Sequence, residues 1–154
     1  MIANNTNIKF MKEALKEAQK AASKNEVPIG AVVVFKGKII GRGHNQSINT
    51  NDPCAHAEIM ALRQAAKKLF NYRLTDVDLY VTIEPCAMCA GAMVWARIRN
   101  LYYGTRDPKA GASGSVFNIV NNKKLNHRIF VHRGILEKEC RKSIQDFFKK
   151  KRKK

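Results

Sequence analysis

Strands alternating with amphipathic helices predict an α/β fold, a sheet covered by helices on both faces. Three observations carry that expectation. Ala31-Val32-Val33-Val34-Phe35 is a continuous apolar run, the pattern of a strand buried on both faces. Val77 to Ile83 alternates as a strand does and stops at Glu84-Pro85. Residues 6–24, and again the residues after Ala55, place apolar side chains three and four apart, as amphipathic helices do. At 154 residues and 45% hydrophobic content, the chain is expected to form a single domain, 1–154, with a core that needs no staples.

Taken in order, the first helix carries Ile8, Met11, Leu15, Ala18 and Ala22 on one stripe, with Thr6 or Asn7 as its cap. Val27-Pro28-Ile29-Gly30 leads from it into the first strand. Lys36-Gly37-Lys38 is a tight turn, Ile39 to Gly43 the returning strand of a hairpin, and His44-Asn45 to Asp52-Pro53 a polar loop. From about Ala55, the spacing of Ile59, Leu62, Ala66 and Leu69 predicts a helix with His56 and Glu58 on its first turn. Residues two apart diverge in mid-helix, so only a helix end lets both address one pocket. Asn71 to Asp76 is a loop before the strand Val77 to Ile83. Cys86 and Cys89 then open a helix whose N-terminal partial charge favours thiolate. Ile98 to Gly104 is a short strand. Thr105 to Gly114 lacks the G-K-[ST] ending of a phosphate loop and is expected to be a flexible, substrate-facing loop. Ser115 to Asn122 is read as a short helix and Arg128 to Val131 as the last strand. A C-terminal helix then carries Ile135, Leu136, Cys140, Ile144 and Phe147 and ends in the basic stretch 147–154.

The chemistry lies in His56, Glu58, Cys86 and Cys89. Two thiols three positions apart and one imidazole are three borderline-soft ligands, which suits a zinc ion that keeps its fourth position for water. Glu58, two residues past the histidine, can reach that water as a general base without binding the metal. A redox C-x-x-C pair or half a structural zinc knuckle would leave His56 and Glu58 unexplained. His44, His127 and His132 lack ligand spacing and are expected at the surface or in hydrogen bonds, and Cys140 in the core.

Two free cysteines beyond that set, Cys54 and Cys140, give no disulfide framework, which favours a reducing compartment and a cytoplasmic location. Met1 to Phe10 has neither a basic leader nor an apolar stretch, and the longest apolar run, Cys86 to Ala96, is too short to span a bilayer. With 29 basic and 12 acidic residues the net charge is +17, the footprint of a nucleic-acid binder. No amphipathic anchor or lipidation pattern favours a membrane surface instead.

These residues resemble a known family, the cytidine-deaminase-like zinc deaminases, through Glu26 to Ala31, Asp52 to Leu62 and Thr82 to Met93. Asn71-Tyr72-Arg73-Leu74 and Asn126-His127-Arg128 are similar to its bacterial branch that acts on the wobble adenosine of tRNA anticodons. The resemblance implies a three-layer α/β/α domain with a five-stranded mixed sheet, one zinc per subunit on His56, Cys86 and Cys89, catalysis by Glu58, and a homodimer acting on a tRNA anticodon stem-loop. It further implies that Asn45 hydrogen-bonds the flipped base, that Val27 walls the pocket, that Asp107 and Lys109 meet neighbouring nucleotides, and that Phe147 and Phe148 grip the loop. Cys54 stands where the family carries a small hydroxyl residue, which raises oxidation or alternative ligation there. Two other readings stay open. One is a zinc deaminase of a free base or nucleoside, such as cytosine, cytidine or guanine, with the basic surface incidental. The other is a non-catalytic tRNA-binding subunit, against which the intact Glu58 speaks.

Overall fold

The structure, a computed structural model, describes residues 4–153. Along the chain run α1 (Asn5–Ser23), β1 (Gly30–Phe35), β2 (Lys38–His44), α2 (Ser47–Thr50), α3 (Ala57–Leu69), β3 (Val77–Ile83), α4 (Ala87–Ala96), β4 (Asn100–Thr105), β5 (Phe130–Arg133) and α5 (Glu137–Arg152). The strands form a five-stranded mixed sheet in the order β2-β1-β3-β4-β5. β1 is antiparallel to both β2 and β3, whereas β3, β4 and β5 run parallel. Helices cover both faces, as the alternation of elements predicts.

The two cores divide by strand parity. Ala31, Val33, Leu79, Val81 and Leu101 face α3 and α4, while Val32, Val34 and Tyr80 face α1 and α5. β1 is buried on both sides because its apolar run serves both. On the α1 face Tyr80 donates to Asn7 Oδ1 (2.7 Å) and heads a stack of Tyr80, Tyr102 and His132 with ring centroids 4.4 Å apart at each step.

Several boundaries depart from the sequence expectation. Asn4, not Thr6 or Asn7, caps α1: its Oδ1 accepts from Asn7 N at 2.8 Å. Asn7 is instead buried in the helix as the acceptor for Tyr80. The buried stripe of α1 is Phe10, Met11, Ala14, Ala18 and Ala21, so Ile8, Leu15 and Ala22 only flank it. The polar loop after β2 contains the short α2. Ser115 to Asn122 forms no helix; it is an irregular loop joined by a Ser113–Asn118 bridge. The last strand runs from Phe130 to Arg133, two residues later than expected, where it pairs with Asn100 to Tyr103.

Small residues set the position of α3. Ala57, Ala61 and Ala65 line its buried side, and β2 presents Gly41 and Gly43 to it. A Cβ on Gly43 would lie 2.7 Å from Ala61 N and 2.9 Å from Met60 Cβ, and would strike Ala57 O. The α3 backbone therefore rests directly on the strand, and the helix start carrying His56 and Glu58 is fixed by that contact. Gly43→Ala is expected to cost about 1–3 kcal/mol through overpacking, which thermal denaturation will register as a Tm lowered by about 2–10 °C.

Candidate active site

His56 and Cys86 are the N-cap residues of α3 and α4, both with extended backbone (φ −81°, ψ 155° and φ −74°, ψ 175°). Neither side chain bonds its own helix start, which leaves imidazole and thiol free to point elsewhere. An N-cap position also resolves the geometric demand in the sequence: His56 leaves the helix direction while Glu58 is already inside the first turn. Cys89 lies one turn into α4 and is fully buried. His56 Nδ1 is 3.6 Å from Cys86 Sγ and 3.5 Å from Cys89 Sγ, and the three ligand atoms lie within 4.8 Å of one another.

These spacings fit zinc. A tetrahedral ion with sulfur at about 2.3 Å and nitrogen at about 2.05 Å separates nitrogen from sulfur by about 3.6 Å. Among the described residues no fourth His, Cys, Asp or Glu joins the group, so a bound ion keeps one position open. Cys54 is exposed and stands outside it, with its backbone N–H turned to Asp52 Oδ1.

Glu58 is 3% exposed, and burial pushes its carboxyl up to about 7, with the Cys86 charge adding to the rise and His56 opposing it. A hydrogen bond from the Cys89 thiol, followed by one from the His56 ring, holds Cys86 down at about 3. The same thiol contact and burial push Cys89 up, and the Cys86 contact raises His56. The cluster thus sets a thiolate at Cys86 beside a carboxyl at Glu58 whose proton affinity is raised.

A cavity of about 530 Å³, whose lining does not include the four cluster residues themselves, is walled mainly by apolar surface from Val27, Ile29, Ile83, Ile144 and Phe148, together with Asp107 and Lys109. Four residues singled out in the sequence, Val27, Asp107, Lys109 and Phe148, therefore meet in one place. Asn45 is buried next to this wall: its N–H donates to Ile29 O (3.1 Å), and its Oδ1 accepts from Ser47 Oγ (3.2 Å). Phe147 is not brought to the cavity. It packs edge-on against Phe148 with Lys151 over its ring, and lines a separate groove against α1.

Two buried carboxylates that hold the pocket loops escape a sequence reading. Glu26 accepts from Ile48 N, Asn49 N and Asn49 Nδ2, which pins α2 beside Asn45. Glu84 accepts from Asp107 N (3.2 Å), Ser113 N (2.9 Å), Ser115 N (3.1 Å) and the Ser115 hydroxyl. The loop from Thr105 to Gly114, expected to be flexible, is thereby tied at Asp107 and Ser113 to the end of β3. The one local signal is an acid set directly before an apolar-proline or proline step, Glu26 before Val27-Pro28 and Glu84 before Pro85.

An open three-ligand centre with a proton-carrying acid beside it, at the helix starts of this sheet, is the arrangement of a deaminase. The family model of the MafB19-like deaminases matches residues 4–152, and the chain belongs to that family. It is 48% identical over 143 residues to the tRNA-specific adenosine deaminase of Streptococcus pyogenes serotype M18, which covers 93% of this chain and 90% of that protein. A solved structure concerned with A-to-I editing by tRNA:A34 deaminases at the wobble position of transfer RNA aligns at a TM-score of 0.85 and 46% identity, over 88% of this chain and 98% of its own. The guanine deaminase of Bacillus subtilis aligns at a TM-score of 0.63 and 38% identity, over 76% and 73%.

Purified protein is expected to hold one zinc per chain by elemental analysis, and to release it as pH falls, because bound thiolate and imidazole must be deprotonated. Cys86→Ser should lower zinc affinity by more than the about 10–100-fold that loss of an outer hydrogen-bond partner costs. Glu84 tests the loop. Its folded pKa lies below the usual carboxylate value because the Ser115, Ser113 and Asp107 hydrogen bonds outweigh burial. Its contribution to stability is thus present above the unfolded value of about 4.3 and is lost as pH falls through the folded one. Glu84→Gln is expected to cost about 1–3 kcal/mol at pH 7, and urea unfolding below pH 4 should show the gap from the unsubstituted protein narrowing.

Proposed function

We propose that this chain hydrolytically deaminates adenosine to inosine at the wobble position of a tRNA anticodon, as a single catalytic domain. The observation that carries the reading is the open His56-Cys86-Cys89 group with the buried Glu58 beside it, in a chain nearly half identical to a named tRNA-specific adenosine deaminase over almost its full length. His56, Cys86 and Cys89 would hold one zinc per subunit, which supplies the Lewis acidity that makes water a nucleophile near neutral pH.

Glu58 moves the protons. Its carboxylate takes one from the attacking water and gives it to ring N1 as the C6–O bond forms. It then takes the hydroxyl proton and gives it to the amine, which leaves as ammonia when the C6–N bond breaks. Water is the only co-reactant. Burial raises the affinity of Glu58 for a proton, which suits a group that must accept and release one in turn.

Asn45 hydrogen-bonds the flipped base against the wall formed by Val27, and Asp107 and Lys109 meet the nucleotides on either side. Phe148 offers the stacking face, with Phe147 bracing it and the basic stretch 147–154 meeting phosphate. An adenine in a single-stranded anticodon loop leaves its stack at less cost than one in a duplex. The net charge of +17 supports a polyanionic substrate. A homodimer is supported by large apolar side chains left outside the fold, Phe70 at 95% and Trp95 at 80% exposure. No helix among the described residues is long and apolar enough to cross a membrane, and a tRNA substrate supports a cytoplasmic location.

The second reading, a free-base deaminase, draws on the similarity to guanine deaminase. One assay separates them: purified protein is given an anticodon stem-loop RNA with adenosine at the wobble position, beside free adenosine, cytidine and guanine. Inosine in the RNA alone is the expected result, and ammonia released only from a free base or nucleoside overturns the proposal. Glu58→Gln should lower kcat on the RNA by about 10²–10⁴-fold while zinc content and RNA affinity stay as they were.

A further inference from the structure

A groove of about 670 Å³ runs along the β2 edge of the sheet, between α1 and α3, with His44 and Gln46 in its lining. Lys20 and Arg42 form one wall, Arg63 and Lys67 the other, with Glu17 as the single carboxylate lining it. We propose that this groove is a second RNA contact, which holds phosphates of the substrate strand a few nucleotides from the deaminated base. The inference rests on the tRNA reading above.

Four observations point to a polyanion. Glu17 is already taken by Lys20 (2.8 Å) and Arg42 (3.5 Å), and Arg42 also pairs with Glu13 at 2.7 Å, so the carboxylates orient one wall without cancelling the other. Arg63 and Lys67 pair with no carboxylate among the described residues. They stand one turn apart on one face of α3, a like-charge spacing that costs a helix a few tenths of a kcal/mol, and a bound polyanion repays that cost. Finally, the strand edge is already engaged at its Arg42 N–H, whose acceptor is Gln64 Oε1 at 2.7 Å, so a pairing peptide would have to displace that bond. What remains unpaired in the groove, among the described residues, is the cationic pair Arg63 and Lys67.

Position fits as well. α3 begins at the active site, and Arg63 and Lys67 lie about 7 and 13 Å along its axis from Glu58. Asn45, which the proposed function assigns to the base, is flanked in sequence by His44 and Gln46, and both of those line the groove. On that reading a strand held at Asn45 would have to cross only Gln46 to enter the groove.

The test compares two variants of equal charge. Arg63→Gln with Lys67→Gln removes two groove cations. Lys36→Gln with Lys38→Gln removes two cations at the hairpin turn, at the far end of β1 and β2 from His44. Affinity for the anticodon stem-loop RNA is measured across a salt series for each, beside the unsubstituted protein. Loss of two phosphate contacts should make the log–log salt slope shallower by about 1.4, so that the affinity deficit shrinks about 25-fold for each tenfold rise in salt. The hairpin variant should keep the original slope. An unchanged slope in the groove variant, or the same change in both variants, overturns the proposal. Inosine formation by the unsubstituted protein is scored separately, so failure of the groove and failure of the substrate assignment are told apart.

Discussion

Everything at the centre depends on two helix N-termini being brought to one point on one face of the sheet. α3 and α4 start with His56 and Cys86 as caps, and neither residue spends its side chain on its own helix. In most helices the cap side chain satisfies an orphan backbone N–H, and here that role is given up so that imidazole and thiol can face each other. The exposed N–H groups are not wasted, since two positive helix ends converging on one site favour thiolate and carboxylate there. The cost is precision, because three ligand atoms must meet within 4.8 Å from two separate helices. The sheet supplies it: glycines on β2 let the α3 backbone rest on the strand, and the parallel β3–α4–β4 unit delivers α4 from the adjacent strand end.

Around this centre buried carboxylates do two unlike jobs. Glu26 and Glu84 each accept three or more hydrogen bonds from loop groups, and those bonds hold their pKa low despite burial. They stay charged and hold loops. Glu58 has almost the same exposure but lacks that set of donors, so burial wins and its carboxyl rises. Acids of nearly equal exposure are thus separated, by their hydrogen-bond donors and by the Cys86 charge beside Glu58, into two held ionised and one with a raised proton affinity.

That division also explains what was legible in the sequence. His56, Glu58, Cys86 and Cys89 were readable because ligand type and spacing are local properties of the chain. β1 and β3 were readable because a strand buried on both faces writes its whole length in apolar residues. The stripe of α1 was read about one residue out of phase, since Ala14 and Ala21 pack on the sheet where larger neighbours, Ile8 and Leu15, only flank it. Ser115 to Asn122 departs from the expected helix for a different reason. Its first residue is held by Glu84, about thirty residues away, and no local pattern records a bond of that range. Cap choice at Asn4 failed similarly, because Asn7 was claimed by Tyr80 from a strand 73 positions on.

Affinity and chemistry are therefore placed in different media. The surface cations lie in water, where screening makes each contact weak and salt-sensitive and only their number matters. Glu58 lies in a dry pocket, where burial first and the Cys86 charge after it decide the state of its carboxyl. Under the proposed function, substitutions in the first medium would change how much RNA is held at a given ionic strength, and substitutions in the second whether it reacts. Asn45 sits at the boundary, buried and bonded to Ser47 and to the Ile29 backbone, between His44 and Gln46, which line the cationic groove. Under the proposed function its amide would be held rigid by the dry side while the strand it bonds arrives from the wet one, which would convert binding into alignment.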